Sequence, residues 1–122
     1  MSKKILFVFL AVLLASITFS ACGTNVNDFE YRADAAGIFI IRYVGTGKNV
    51  RIPEKINNVP VVIIGDNAFR GRQINKVRFP RSLQIIGAGA FADNNLTRVV
   101  LPASIETVFD GAFDANVEVR KR

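Results

Sequence analysis

Apolar and polar positions along this chain of 122 residues repeat at a fixed interval. Ile74-Asn75-Lys76-Val77-Arg78-Phe79-Pro80-Arg81-Ser82-Leu83 is answered 22 positions on by Leu96-Thr97-Arg98-Val99-Val100-Leu101-Pro102-Ala103-Ser104-Ile105. Ile86-Gly87-Ala88-Gly89-Ala90-Phe91 is followed at the same interval by Val108-Phe109-Asp110-Gly111-Ala112-Phe113, and preceded by Ile64-Gly65-Asp66-Asn67-Ala68-Phe69. A period in the low twenties predicts a solenoid, in which each coil buries its apolar face against its neighbours.

The unit itself has a physical grammar. In Ile74-x-x-Val77-x-Phe79 and Leu96-x-x-Val99-x-Leu101, apolar residues two apart send their side chains to one side of a strand, inward. Pro80 and Pro102 end the strand, because proline has no N–H to give a ladder. Ser82 and Ser104 follow, where a hydroxyl can satisfy backbone groups freed by the turn. Leu83, Ile86 and Phe91, then Ile105, Val108 and Phe113, supply the return path.

These residues carry a resemblance. The pattern L-x-x-L-x-L-P-x-S-(L/I)-x-x-(I/V)-G-x-x-A-F resembles the BspA-like leucine-rich repeat of bacterial surface proteins, from about Val50 to Phe113. The resemblance implies a mainly β solenoid of about three 22-residue coils with one parallel strand per coil, and a role in adhesion or protein–protein interaction. Two departures stand at the ends of the array. Phe109 replaces the glycine of the third return path, and 27 positions separate Pro53 from Pro80, which predicts an extra loop of about five residues within Ile56 to Val59.

The flanks divide the chain further. Lys3 and Lys4, the apolar run Ile5 to Leu14 and the small residues before Cys22 predict a targeting segment over residues 1–21. Phe19-Ser20-Ala21-Cys22 looks like a bacterial lipobox, which makes Cys22, the only cysteine, the expected lipidation site; ordinary cleavage after Ala21 is the alternative. Residues 22–28 read as a tether. Residues 29–49 read as a capping β-hairpin, with strands Phe29 to Tyr31 and Ile38 to Tyr43 around Asp34-Ala35-Ala36-Gly37. In similar proteins such a segment leads through G-(T/S)-G-x-x-V-x-I-P into the first repeat, here Gly45 to Pro53. Residues 50–122 form the repeat domain, with a fourth strand over Asp114 to Val119 reached by a loop about two residues shorter. Arg120, Lys121 and Arg122 read as a solvated end.

Composition narrows the function. The chain has no histidine and a net charge of +6, of which Lys3 and Lys4 leave with the targeting segment. The commonest general base is missing, the lone thiol is expected to be acylated, and no metal-ligand spacing occurs, so neither a catalytic site, a metal nor a cofactor is predicted. Asp66 and Asp110 fall on one edge of the solenoid, two periods apart, which puts them roughly 10 Å from each other; their expected role, like that of Asp93 and Asp114, is turn capping. Export argues against a nucleic-acid partner.

The remaining candidate is the outward face of the strands. Residues beside the buried anchors stack in two columns: Asn49, Lys76, Arg98 and Asn116, and Arg51, Arg78, Val100 and Glu118. Like charges about 5 Å apart are unfavourable on a sheet unless solvent or a partner screens them. Arg51, Lys76, Arg78 and Arg98 are therefore the predicted ligand-binding residues, for an acidic protein or anionic glycan; long basic side chains that only keep an exposed sheet soluble are the plainer reading. The expected protein is a lipid-anchored surface or periplasmic interaction module. The alternative is an envelope lipoprotein that self-associates through its repeat edges.

Overall fold

The computed structural model describes residues 25–122. The targeting segment 1–21 and Cys22 lie outside the described residues. A 3-10 turn at Val26–Asp28, capped by the Asn25 side chain on the Asn27 N–H at 2.9 Å, leads into ten strands. They are β1 (Phe29–Asp34), β2 (Gly37–Tyr43), β3 (Asn49–Arg51), β4 (Lys55–Ile56), β5 (Val59–Ile64), β6 (Lys76–Arg78), β7 (Ile85–Ile86), β8 (Arg98–Leu101), β9 (Thr107–Val108) and β10 (Glu118–Lys121). No α-helix occurs among the described residues.

The chain winds as a β-solenoid with two faces. Strands β3, β6, β8 and β10 follow one another on the front, and β2, β5, β7 and β9 form parallel ladders on the return side. The array has about four turns where the repeat spacing predicts three, because β2 supplies a first return strand and β10 a last front strand. β1 and β2 form the expected antiparallel hairpin. It seals the first coil edge-on, with Ile38 and Ile40 of β2 lying beside Val61 and Ile64. Gly37 makes this approach possible: at φ 139° its α-carbon sits so close to the Pro60 carbonyl that a Cβ would stand 2.7 Å from that oxygen.

The insertion in the first coil is a miniature hairpin. β4 pairs antiparallel with the start of β5, and Asn57 and Asn58, with φ of 51° and 65°, make the two-residue turn. Two positive φ values are what a type I′ connection needs, and asparagine tolerates them better than other side chains bearing a Cβ.

Successive coils place identical chemistry in register. Tyr43, Phe69, Phe91 and Phe113 stack as a ladder of rings, with neighbouring centroids 5.3, 4.7 and 5.5 Å apart and planes within 17° of parallel. Tyr43 thus occupies the place of a repeat phenylalanine. Ile40, Ile64 and Ile86 form a second buried row, and Ala68, Ala90 and Ala112 a third that leaves room for the rings. Burial of each large side chain contributes about 1.5–3 kcal/mol, so these rows outweigh any surface interaction in holding the coils together. Not every aromatic is in the core: Phe39 faces outward on the return sheet, half-buried, with the Arg32 guanidinium 4.6 Å from its ring centre.

Candidate functional site: the front strand face

The inward residues of the front strands hold the outward ones in place. Val50 and Ile52, like Val99 and Leu101, are buried, and alternation then turns Asn49, Arg51, Arg98 and Val100 to solvent. Asn49 pairs with Lys76 and Arg51 with Arg78 in the parallel ladder of β3 and β6. Two arginines one strand apart repel by about 1 kcal/mol in water, and more where the surface lowers the dielectric.

The columns differ from the expectation at their far end. β10 pairs with β8 so that Glu118 lies beside Arg98 and Arg120 beside Val100. The strand begins at Glu118, so Asp114 to Val117, expected to open it, precede it. The last coil is two residues short of the repeat, as expected, which puts Glu118 beside Arg98; a column through Asn116 would need a coil four residues short. The true columns are Asn49, Lys76, Arg98, Glu118 and Arg51, Arg78, Val100, Arg120.

A second difference divides the face. No ladder joins β6 to β8; the front is two separate two-stranded sheets. Lys76 and Arg98 are neighbours across this seam without being ladder partners. Along it runs a shallow groove of about 880 Å³, which brings together all four predicted residues, Arg51, Lys76, Arg78 and Arg98, and adds Arg81 and Arg122. Glu54 is the one acidic residue in its wall, and its carboxylate accepts the Arg81 backbone N–H at 3.0 Å. Arg122 therefore belongs to the groove and is more than a solvated end; its N–H donates to the Leu101 carbonyl at 3.1 Å.

Electrostatics favour anions here. The ion pairs among the described residues, Arg42–Glu30, Arg70–Asp93 and Arg120–Glu118, involve none of Lys76, Arg78, Arg81 and Arg98. Hydrogen bonding from Arg120 holds the Glu118 carboxyl below the usual carboxylate range, with the charges of Arg120 and then Arg98 adding to the effect. A guanidinium presents a planar fork to carboxylate, sulfate or phosphate, so a row of them can hold an extended acidic ligand.

Polar side chains between the strands tie coil to coil. The Ser82 hydroxyl donates to the Val61 carbonyl at 2.7 Å and the Ser104 hydroxyl to the Leu83 carbonyl at 2.6 Å, the backbone satisfaction that the turn after each proline requires. Asn94 does more. Its Oδ1 accepts the N–H groups of Arg72 and Ile74, each at 3.0 Å, and its Nδ2 donates to the carbonyls of Phe69, Phe91 and Ala92 at 2.8, 2.9 and 3.2 Å. In the last coil Asp114 plays the accepting half, taking the N–H groups of Asp93 and Asn94. Sequence reasoning passed over Asn94 because the 22-residue register aligns it with Arg72, while its counterpart Asp114 lies 20 positions on.

The aspartates serve turns. Asp66 accepts the Ala88 N–H at 2.9 Å, bracing one coil on the next, and Asp93 pairs with Arg70 at 3.0 Å. Among the described residues no cluster of three or more histidines, cysteines, aspartates or glutamates forms a metal-binding group.

Comparison with known proteins agrees with this architecture. A family model described as BspA type leucine rich repeat region matches residues 42–121, in six copies. Among solved structures, a leucine-rich repeat protein from Bacteroides capillosus is 19% identical, with a TM-score of 0.56, over 81% of this chain and 97% of that one. A leucine-rich repeat protein from T. pallidum is 24% identical, with a TM-score of 0.46, over 74% of this chain. The chain spans 65% of the length of that protein. No curated protein matches it.

Proposed function

The chain belongs to the family of BspA-type leucine-rich repeats, and on that premise we propose that it is a non-enzymatic protein-interaction module that captures an acidic partner in the basic front groove. One observation carries the reading. The groove collects Arg51, Lys76, Arg78, Arg81, Arg98 and Arg122 against the single carboxylate of Glu54. Membership of a repeat family that suggests protein interaction directs this charge toward a protein surface in preference to a glycan. The basic start, apolar run and Cys22 support export and anchoring by lipid, with the module acting in adhesion at a bacterial surface or in the periplasm.

The test compares the full chain in detergent with a variant carrying Arg51→Ser, Lys76→Ser, Arg78→Ser and Arg98→Ser. Both are applied to a panel of matrix proteins and to heparin, after circular dichroism shows that the fold is kept. Salt-sensitive protein binding that disappears in the variant supports the groove; undiminished binding moves the site elsewhere. Labelling with a fatty-acid analogue, lost in Cys22→Ser, tests the anchor separately.

Self-association is the second reading, and it has its own support. The outer edge of β10 has no ladder partner among the described residues, and the last coil exposes Val108, Phe109 and Val119. Concentration-dependent growth in sedimentation, abolished by Phe109→Ser and Val119→Lys, favours it over ligand capture.

A further inference from the structure

The seam in the front face does more than divide two ladders. The inward side chains of β3 and β8 are sealed, with Val50 and Ile52 at 6% and 2% exposure and Val99 and Leu101 at 2% and 5%, yet their counterparts Val77 and Phe79 on the β6 side are only half-buried. The core is open to solvent where the ladder is missing. Phe79 stands at the opening. It stands where the neighbouring coils have Ile52 and Leu101, and its ring meets Phe91 at 5.5 Å and Phe113 at 6.4 Å, both edge-on.

The opening lies within the basic groove. Val77, Phe79 and Val100 line it together with Lys76, Arg78 and Arg98. Val100 interrupts a column of arginines, between Arg78 on one side and Arg120 on the other, and is 41% exposed. Backbone groups add to this. The Glu118 N–H donates to the Thr97 carbonyl, so Thr97 and Val99 direct their backbone toward β10, and the alternation of a parallel strand turns the N–H groups of Arg98 and Val100 toward the seam.

We propose that this seam is an anchor slot for one apolar side chain of an acidic polypeptide segment, a proposal that rests on the front groove being the binding surface. Carboxylates of the segment lie on Lys76, Arg78 and Arg98, and the side chain between them enters against Val77, Phe79 and Val100. A sulfated or phosphorylated glycan has the charge and lacks the apolar group. A purely acidic peptide leaves the slot wet. The slot thus sets specificity where the cations supply attraction and a fast encounter, the usual division between buried anchor and charged rim.

The experiment measures fluorescence anisotropy of two acidic peptides, identical except for a central leucine or a central serine, with the full chain in detergent. The leucine peptide is expected to bind about 10-fold tighter or better, the effect of burying one such side chain. Val100→Ser, at an exposed position, and Phe79→Leu, which lets the seam close, are each expected to shrink the ratio of the two peptides' affinities, measured for each variant with both peptides. Equal affinity for the two peptides, lost in the quadruple serine variant, overturns the slot and keeps the groove. An advantage for leucine that survives both single substitutions places its site away from the seam and also overturns the slot. Binding of neither peptide by the wild type, or binding retained by the quadruple variant, overturns the groove reading and the slot with it.

Discussion

The ring of Phe79 stands perpendicular to that of Phe91, centroids 5.5 Å apart and planes at 90°, beside the one gap in the front strand face. Neighbouring coils carry the smaller Ile52 and Leu101 at the same register, and those residues are buried. A branched aliphatic side chain there has no edge to seat against the ring ladder and lets the strands approach to ladder spacing. Phe79→Leu is therefore expected to join β6 to β8. Amide hydrogen exchange checks this, with Val77, Arg98 and Val100 slowed relative to wild type; unchanged exchange at all three would show that the gap has another cause.

The ring ladder predicts where stability is concentrated. Phe91 is fully buried and touches rings on three sides, Phe69, Phe79 and Phe113. Phe91→Ala removes all three contacts and leaves a cavity between coils, at a cost of about 3–5 kcal/mol in urea unfolding. Phe109→Ala, at a side chain 52% exposed, is expected to change stability by less than about 0.5 kcal/mol.

Asn94 acts through hydrogen bonds. Asn94→Ala leaves the N–H groups of Arg72 and Ile74 and three carbonyls without their partner, and is expected to cost on the order of 2–3 kcal/mol. Asn94→Asp keeps the accepting half, as Asp114 shows in the next coil, and loses the donating half. An intermediate loss in thermal unfolding is the expected result; equal losses for the two variants would contradict this division.

Gly87 marks how closely the return paths pass. A Cβ there would stand 2.6 Å from the Asp66 nitrogen and 2.7 Å from the Gly65 carbonyl carbon, both backbone atoms that cannot swing aside. Gly87→Ala is expected to destabilise by about 2–3 kcal/mol, read by chemical unfolding. Gly71→Ala meets no atom within 4 Å and strains only a φ of 66°, so its loss is expected to be smaller, about 1 kcal/mol.

Tyr43 gives the fold an alkaline limit. Burial, followed by the nearby Asp28 carboxylate, raises its hydroxyl above the ordinary value of 10.0. The folded state then prefers the neutral phenol, so the stability linked to it is fully present below pH 10 and is lost as pH rises from there through the raised value. Tyr43→Phe loses the hydrogen bond to the Gly47 carbonyl at 2.9 Å, about 1 kcal/mol at neutral pH, and flattens the fall in melting temperature above pH 10. An equally steep fall in the variant would assign the alkaline limit to another group.

Much of this molecule is legible one coil at a time. Inward strand residues, the proline stop, the serine after it and the alanine–phenylalanine pair each depend on local alternation and backbone chemistry, and repetition every 22 residues multiplies the signal. The predicted residues Arg51, Lys76, Arg78 and Arg98 share a groove because alternation along a strand and stacking of coils leave them no other side. The register of β10 was within reach, since a coil two residues short of 22 sets Glu118 beside Arg98 wherever the missing pair falls, whereas a column through Asn116 needs a coil four short. The seam was not. One phenylalanine among leucine-like positions fits the repeat pattern, and only in the folded coils does its ring meet two others from different coils, beside two strands with no ladder between them. Periodicity is a property of each residue and its neighbours in the chain; the gap is a property of volumes that meet across coils.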